Sequence, residues 1–173
     1  MKIFSTQLQG IFKKITEREE EQFEDGARLL AQAAAGPGKL LIYTTPSMKG
    51  NAINVTEHPD AAGHITHQET TDTSLEAIDR ALILAGYEEK KELETTVSHL
   101  REHDVPFVVI APFPAEEMEH FLEPTDVWID TYTRGGLVPD ESGSRLGAPF
   151  TLTALFASQL LLLQINELLG ELD

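Results

Sequence analysis

The stretch Leu40-Leu41-Ile42-Tyr43-Thr44-Thr45-Pro46-Ser47-Met48-Lys49 decides the architecture of this chain. It follows Gly36-Pro37-Gly38, and its first four residues form the short apolar run expected of a strand buried on both faces. Thr44-Thr45-Pro46-Ser47 is a hydroxyl-rich turn. Ser47 is placed to cap a helix from Met48 to Glu57, in which Ala52, Ile53 and Val55 are apolar, with Pro59 just past the end. The local reading is strand, tight turn, helix.

The same order recurs downstream. Ala81-Leu82-Ile83-Leu84-Ala85 predicts a second buried strand, followed by Gly86-Tyr87 and a helix from Glu88 to Glu102 with Leu93, Val97 and Leu100 on one face. Pro106 to Ala111 predicts a third strand, Ala115 to Leu122 a short helix, and Val127 to Asp130 a further strand. Between the first two units, the polar segment Asp60 to Ser74 holds a short edge strand at His64 to His67, and Leu75 to Asp79 reads as a helical turn. Strands alternating with helices at this spacing indicate an α/β domain with a parallel sheet and helices on both faces, because crossovers are right-handed.

Upstream, residues 2–34 read as one helix, with Phe4, Leu8, Ile11, Phe12 and Ile15 at spacings of three and four. The acidic run Glu17 to Asp25 reads as a solvated helix face without a binding role. The C-terminal helix, residues 150–169, is apolar nearly all round. Ser158, Gln159, Gln164, Asn166 and Glu167 argue against a membrane span, so it reads as a core or interface helix and points to a homo-oligomer, a dimer or tetramer. The turn-rich segment Thr131 to Pro149 reads as a loop that covers a site or makes an interface.

Composition narrows the function. The chain has 173 residues, 41% of them hydrophobic, which suits one domain spanning residues 1–173. The absence of cysteine excludes disulfide scaffolds and thiolate chemistry. Thirteen Lys and Arg against 29 Asp and Glu give a net charge of -16, which repels phosphate backbones and anionic membranes, so neither nucleic acid nor a membrane is an expected partner. No basic start, apolar stretch and cleavage site mark the N-terminus, so a cytoplasmic location is expected.

Ligands of an open parallel sheet lie beyond the carboxyl ends of its strands. The candidate segments are therefore Thr44 to Asn51, Gly86 to Lys91, Pro112 to Ala115 and Thr131 to Gly136. Thr44, Thr45 and Ser47 offer hydroxyls, Lys49 a cation and Met48 a helix-start amide; Gly86, Tyr87, Lys90, Thr131 and Arg134 complete the candidate set. The plainer reading is that Ser47 only caps the helix and the threonines only shape the turn. Gly36-Pro37-Gly38 precedes its strand and no Walker motif exists, so dinucleotide and P-loop chemistry are not expected. His58, His64 and His67 with Glu57 and Glu69 fall across a helix end and a polar loop, and neither metal nor cofactor is expected.

The segment Leu40 to Glu57, the second unit Asp79-Arg80-Ala81-Leu82-Ile83-Leu84 leading to Glu88-Glu89-Lys90-Lys91-Glu92, and the closing Leu137-Val138-Pro139, Gly143-Ser144-Arg145-Leu146-Gly147-Ala148-Pro149 and Leu155-Phe156 together resemble the sugar isomerase (SIS) domain. They resemble in particular a bacterial branch labelled as phosphoheptose isomerases. The resemblance implies a three-layer αβα sandwich with a five-stranded, flavodoxin-type parallel sheet, assembly through helices, and a phosphosugar at the carboxyl edge of the sheet. It also implies aldose–ketose isomerisation with Glu57 as the catalytic carboxylate. The chain departs from the pattern in three places: Gly86-Tyr87-Glu88-Glu89-Lys90 replaces the second Ser/Thr turn, Ile53 stands for a metal-ligand histidine, and residues 150–169 contain no histidine. Glu88 and Glu89 would oppose a phosphate, which Tyr87 and Lys90 offset in part. The alternative is a non-catalytic oligomeric sensor or interaction protein that kept the fold without the chemistry.

Overall fold

A computed structural model of the chain describes residues 2–61, 65–68 and 74–170. Two helices, α1 (Lys2–Arg18) and α2 (Glu20–Ala34), lead into strand β1 (Leu40–Thr44), a 3-10 turn (Pro46–Met48) and helix α3 (Lys49–Thr56). Then follow β2 (Ile65–His67), β3 (Arg80–Leu84), α4 (Lys90–Arg101), β4 (Phe107–Ala111), a 3-10 segment (Ala115–Phe121) and β5 (Val127–Asp130). A two-stranded ribbon, β6 (Val138–Pro139) and β7 (Arg145–Leu146), precedes the last helix, α5 (Phe150–Gly170).

The five strands form one parallel sheet in the order β2-β1-β3-β4-β5. Side chains alternate across it, as a pleated strand demands. Leu40, Ile42, Leu82, Leu84, Val108, Ile110 and Ile129 face a layer built by α2, α3 and α5. Leu41, Tyr43, Ala81, Ile83, Phe107, Val109 and Trp128 face the opposite layer, which α4 and the 3-10 segment build. The expected three-layer α/β sandwich is what forms. The edge strand β2 is present at Ile65–His67, while His64 and Glu69 lie outside the described residues.

Three expectations are corrected. Residues 2–34 are not one helix: the chain breaks at Glu19 (φ -106°, ψ 15°). Glu19 is also not part of a solvated face, because it is 6% exposed, accepts the Asp130 amide at 3.2 Å and accepts the Tyr132 hydroxyl. The break lets its carboxylate turn inward and tie α1 and α2 to the end of β5. The segment 115–121 is 3-10, with Glu117 N bonded to Pro114 O at 3.2 Å; Met118 alone is buried, too little apolar surface to hold a full α-helix.

The inner face of α5, Thr153, Ala154, Ala157, Ser158, Leu161, Leu162 and Ile165, is buried against the core, whereas Leu152 and Leu163 are 46% and 55% exposed. Small residues at 153, 154, 157 and 158 bring its backbone close to its neighbours, and Ser158 satisfies its hydroxyl on Ala154 O at 2.8 Å. Length and composition alone would let α5 cross a membrane, but its inner face is part of the first core cluster. Half-buried α1 lies alongside, with Phe12 stacked on Phe156 at 4.2 Å between centroids.

The entry to the sheet is fixed by Asp79, 2% exposed, whose carboxylate accepts Lys39 N at 2.8 Å and Glu76 N at 3.0 Å. Gly38 passes so close to this turn that a Cβ would lie 2.2 Å from Ile78 O. Replacing Asp79 leaves two backbone donors unpaired, at about 1–3 kcal/mol each. Asp79→Ala is therefore expected to lower unfolding free energy by about 3 kcal/mol in urea titrations.

Burial raises the Glu19 pKa above its ordinary 4.5, against the opposing pull of the bonds from Tyr132 and Asp130. Burial and the bond to Glu19 raise the Tyr132 pKa in turn. A raised native pKa gives stability that is complete below 4.5 and is lost as pH climbs through the native value. Glu19→Gln removes that titration. The stability difference between wild type and Glu19→Gln should therefore move towards the variant as pH rises from 4.5 and then level off, measured by urea titration across pH.

Candidate functional site

The site begins with the pairing of β1 and β3, in register from Leu40 opposite Arg80 to Thr44 opposite Leu84. The helices that follow these strands leave on opposite faces, since α3 packs Ala52 and Val55 into one cluster and α4 packs Leu93, Val97 and Leu100 into the other. This is the topological switch point of a 2-1-3-4-5 sheet, the place at the carboxyl ends where open α/β sheets take their ligands.

Thr45 lies at this point, 1% exposed, with its amide bonded to Leu84 O at 3.1 Å. Its hydroxyl accepts the Gly86 amide at 2.7 Å, which aims the Thr45 proton at the Glu89 carboxylate. Ser47 donates twice to the same carboxylate, from its amide to Oε1 at 3.1 Å and from its hydroxyl to Oε2 at 2.8 Å. Ser47 is therefore not the N-cap: it lies inside the 3-10 turn, Met48 occupies the cap position without a side-chain bond, and Ser47 faces Glu89. Three donors thus converge on one carboxylate. Gly86 makes the approach possible, because a Cβ there would lie 2.1 Å from Ser47 Oγ and 2.2 Å from Glu89 Oε2.

The remaining candidates separate into neighbours and outliers. Lys49 is exposed at the head of α3, and the Met48 side chain is buried in the core. Tyr87 stacks on Phe150 with centroids 4.7 Å apart, so it joins the β3–α4 loop to the start of α5. Lys90 pairs with Glu117 and lies 5.1 Å above the Phe113 ring. Arg134 is held by Asp130 at 2.6 and 2.9 Å and by Pro112 O at 2.8 Å; the bond to Asp130 raises its pKa. Arg145 bonds Gly136 O and Leu137 O of its own ribbon. Thr44 Oγ1 and Thr131 Oγ1, at the ends of β1 and β5, are buried without a hydrogen-bond partner among the described residues.

Glu57 closes α3 and is exposed. Its neighbour His58 is the residue that meets α5. Asp60 N donates to His58 Nδ1 at 3.2 Å, and His58 Nε2 lies 2.9 Å from Gln159 Nε2. Together with Asn54, Val55, Leu155 and Leu162 these two side chains line a cleft of about 150 Å³. Among the described residues no three His, Asp or Glu side chains are gathered as a metal site. Sequence reasoning missed two arrangements, the His58–Gln159 contact and the Glu19–Tyr132–Asp130–Arg134 network. It did mark Glu88 and Glu89 as carboxylates that would oppose a phosphate, without seeing that the first turn binds Glu89.

The chain was compared with known proteins. Among solved structures it resembles the phosphoheptose isomerase GmhA from Neisseria gonorrhoeae, with a TM-score of 0.70, 13% identity and 94% of each chain covered. It also resembles a phosphoheptose isomerase from Francisella tularensis, with a TM-score of 0.71, 9% identity and 95% of each chain covered. At these identities the likeness is one of fold, the SIS-type α/β sandwich. In sequence it is 32% identical over 171 residues to the uncharacterized protein YwjG of Bacillus subtilis (strain 168), covering 99% of this chain and 98% of that protein. The model of the domain of unknown function DUF2529 matches residues 1–169, and the chain belongs to that family.

Proposed function

We propose that this protein binds a phosphorylated sugar, or a related carbohydrate derivative, at the turn Thr44–Lys49, with Gly86–Lys90 as the opposite wall. The observation that carries the reading is the convergence of Thr45 Oγ1, Ser47 N and Ser47 Oγ on a pair of anionic oxygens. A turn that binds a carboxylate with three donors has the chemistry to bind a phosphoryl group. Its place at the switch point, the exposed ammonium of Lys49 and the unpartnered hydroxyls of Thr44 and Thr131 support the same reading. So do the phosphoheptose isomerases that share the fold. A cytoplasmic homo-oligomer belongs to the proposal, with the outer face of α5 (Leu152, Leu163) and the half-buried stripe of α1 as the contact surface.

Aldose–ketose isomerisation needs a carboxylate and a second proton-handling group on the two sides of the sugar. Glu57 is the carboxylate of this proposal. A second reading, a sensor that binds without turnover, is favoured by one observation: residues 150–169 offer the amides Gln159 and Gln164 but no histidine, and an amide does not carry a proton.

Ser47→Ala removes one charge-assisted bond worth about 2 kcal/mol, and because Glu89 holds that bond in the free protein the loss is read against a Glu89→Ala background, where the dissociation constant for a hexose or heptose phosphate should rise about thirtyfold in calorimetric titration. Lys49→Ala should weaken it as well, by an amount that shrinks in high salt. Unchanged affinity in both variants refutes the proposed turn. An isomerase interconverts ketose and aldose phosphates and loses that activity in Glu57→Gln; a sensor is stabilised by the ligand, by about 2.7 kcal/mol at a hundred times its dissociation constant, and turns nothing over.

A further inference from the structure

We infer that Glu89 is a resident anion of the Thr45–Ser47 turn, seated where a ligand's phosphoryl group would bind, and that it sets the affinity threshold of the site. The inference rests on the sugar-phosphate reading and adds the residue that sets how tightly the turn binds any phosphoryl ligand.

Glu89 is at the N-cap position of α4, yet its side chain makes no capping bond to that helix. It reaches instead across to the turn after β1 and takes Thr45 Oγ1, Ser47 N and Ser47 Oγ. Its two oxygens stand in for two of the three that a phosphoryl group presents. The residue before it, Glu88, has φ +61°, a left-handed conformation that a residue with a Cβ rarely adopts. Such a conformation persists where surrounding bonds hold it, and the Glu89 bonds are in position to do so. Glu89 is half-buried and Ser47 exposed, so the carboxylate can swing into solvent without unfolding the sheet edge. Gly86 leaves space for the visiting oxygens and for nothing larger than hydrogen at its own Cα.

A site that is competent only when Glu89 has left binds every phosphoryl ligand more weakly by one common factor. A ligand with only its phosphate to offer then falls below useful affinity. A phosphate ester recovers the loss through contacts of its sugar with the rest of the site. Glu89 thus raises the concentration at which any phosphoryl ligand binds, without contacting the sugar and without changing the ratio of their affinities.

The test is calorimetric titration of the full chain, as wild type, Glu89→Gln and Glu89→Ala, with inorganic phosphate, fructose 6-phosphate and free fructose. In Glu89→Ala the dissociation constants for both phosphates should fall by the same factor, at least tenfold. Glu89→Gln, nearly isosteric and a safeguard against misfolding, should show a smaller fall, and free fructose should show none. The inorganic phosphate measurement does not depend on the identity of the sugar. If wild type binds either phosphate as tightly as the two variants, or more tightly, the resident anion is refuted while the turn remains a phosphate site. If no form binds either phosphate, the resident-anion inference and the sugar-phosphate reading both fall.

Discussion

Parallel pairing of β1 with β3 is the contact on which the other features depend, because it brings Thr45 within reach of Gly86, 41 residues later in the chain. The pair enters the sheet at a turn pinned by Asp79 and leaves it at a point where the two following helices diverge to opposite faces. Such a divergence marks the place where open α/β sheets take their ligands. The hydroxyl turn, the glycine and the carboxylate of Glu89 are all located by this one alignment.

The electrostatics of that turn follow from its donors. A chain of net charge -16 disfavours anions at long range. Within hydrogen-bond distance the balance reverses, because Thr45 and Ser47 present oriented N–H and O–H groups whose field is local and little screened. Glu89 satisfies those donors, and Lys90, which stands next to it, is neutralised by Glu117. The acidic composition and an anion-binding turn are therefore compatible, because they act over different distances.

Elsewhere the same balance of burial and charge shapes the helical layer. Glu19 leaves the solvated acidic run to bind β5 and Tyr132, and the helix breaks where it does so. Beyond that break α1 buries Ile15 alone, while its other apolar residues are half-buried or exposed. The apolar outer side of α5 is left in the same state, so the two helices present adjoining surface that one chain by itself does not cover.

Much of the fold could be read from periodicity. Short apolar runs mark β1, β3, β4 and β5 within a residue or two, and the hydroxyl turn at Thr44 to Ser47 is visible as composition. Local sequence determines these because a strand buried on both faces and a strand-to-helix corner each need particular residues where they stand. What needed the tertiary structure were the groups whose partners are distant in sequence. Glu19 looks like any residue of an acidic helix until Asp130 and Tyr132 are beside it. Glu89 looks like an obstacle to anion binding until the sheet register sets it against Ser47, 42 residues earlier. The sequence determined which strands and turns could form. Only the folded sheet decided which charge each turn would hold, because a hydrogen bond is made by proximity in space, and the chain records that proximity only once it has folded.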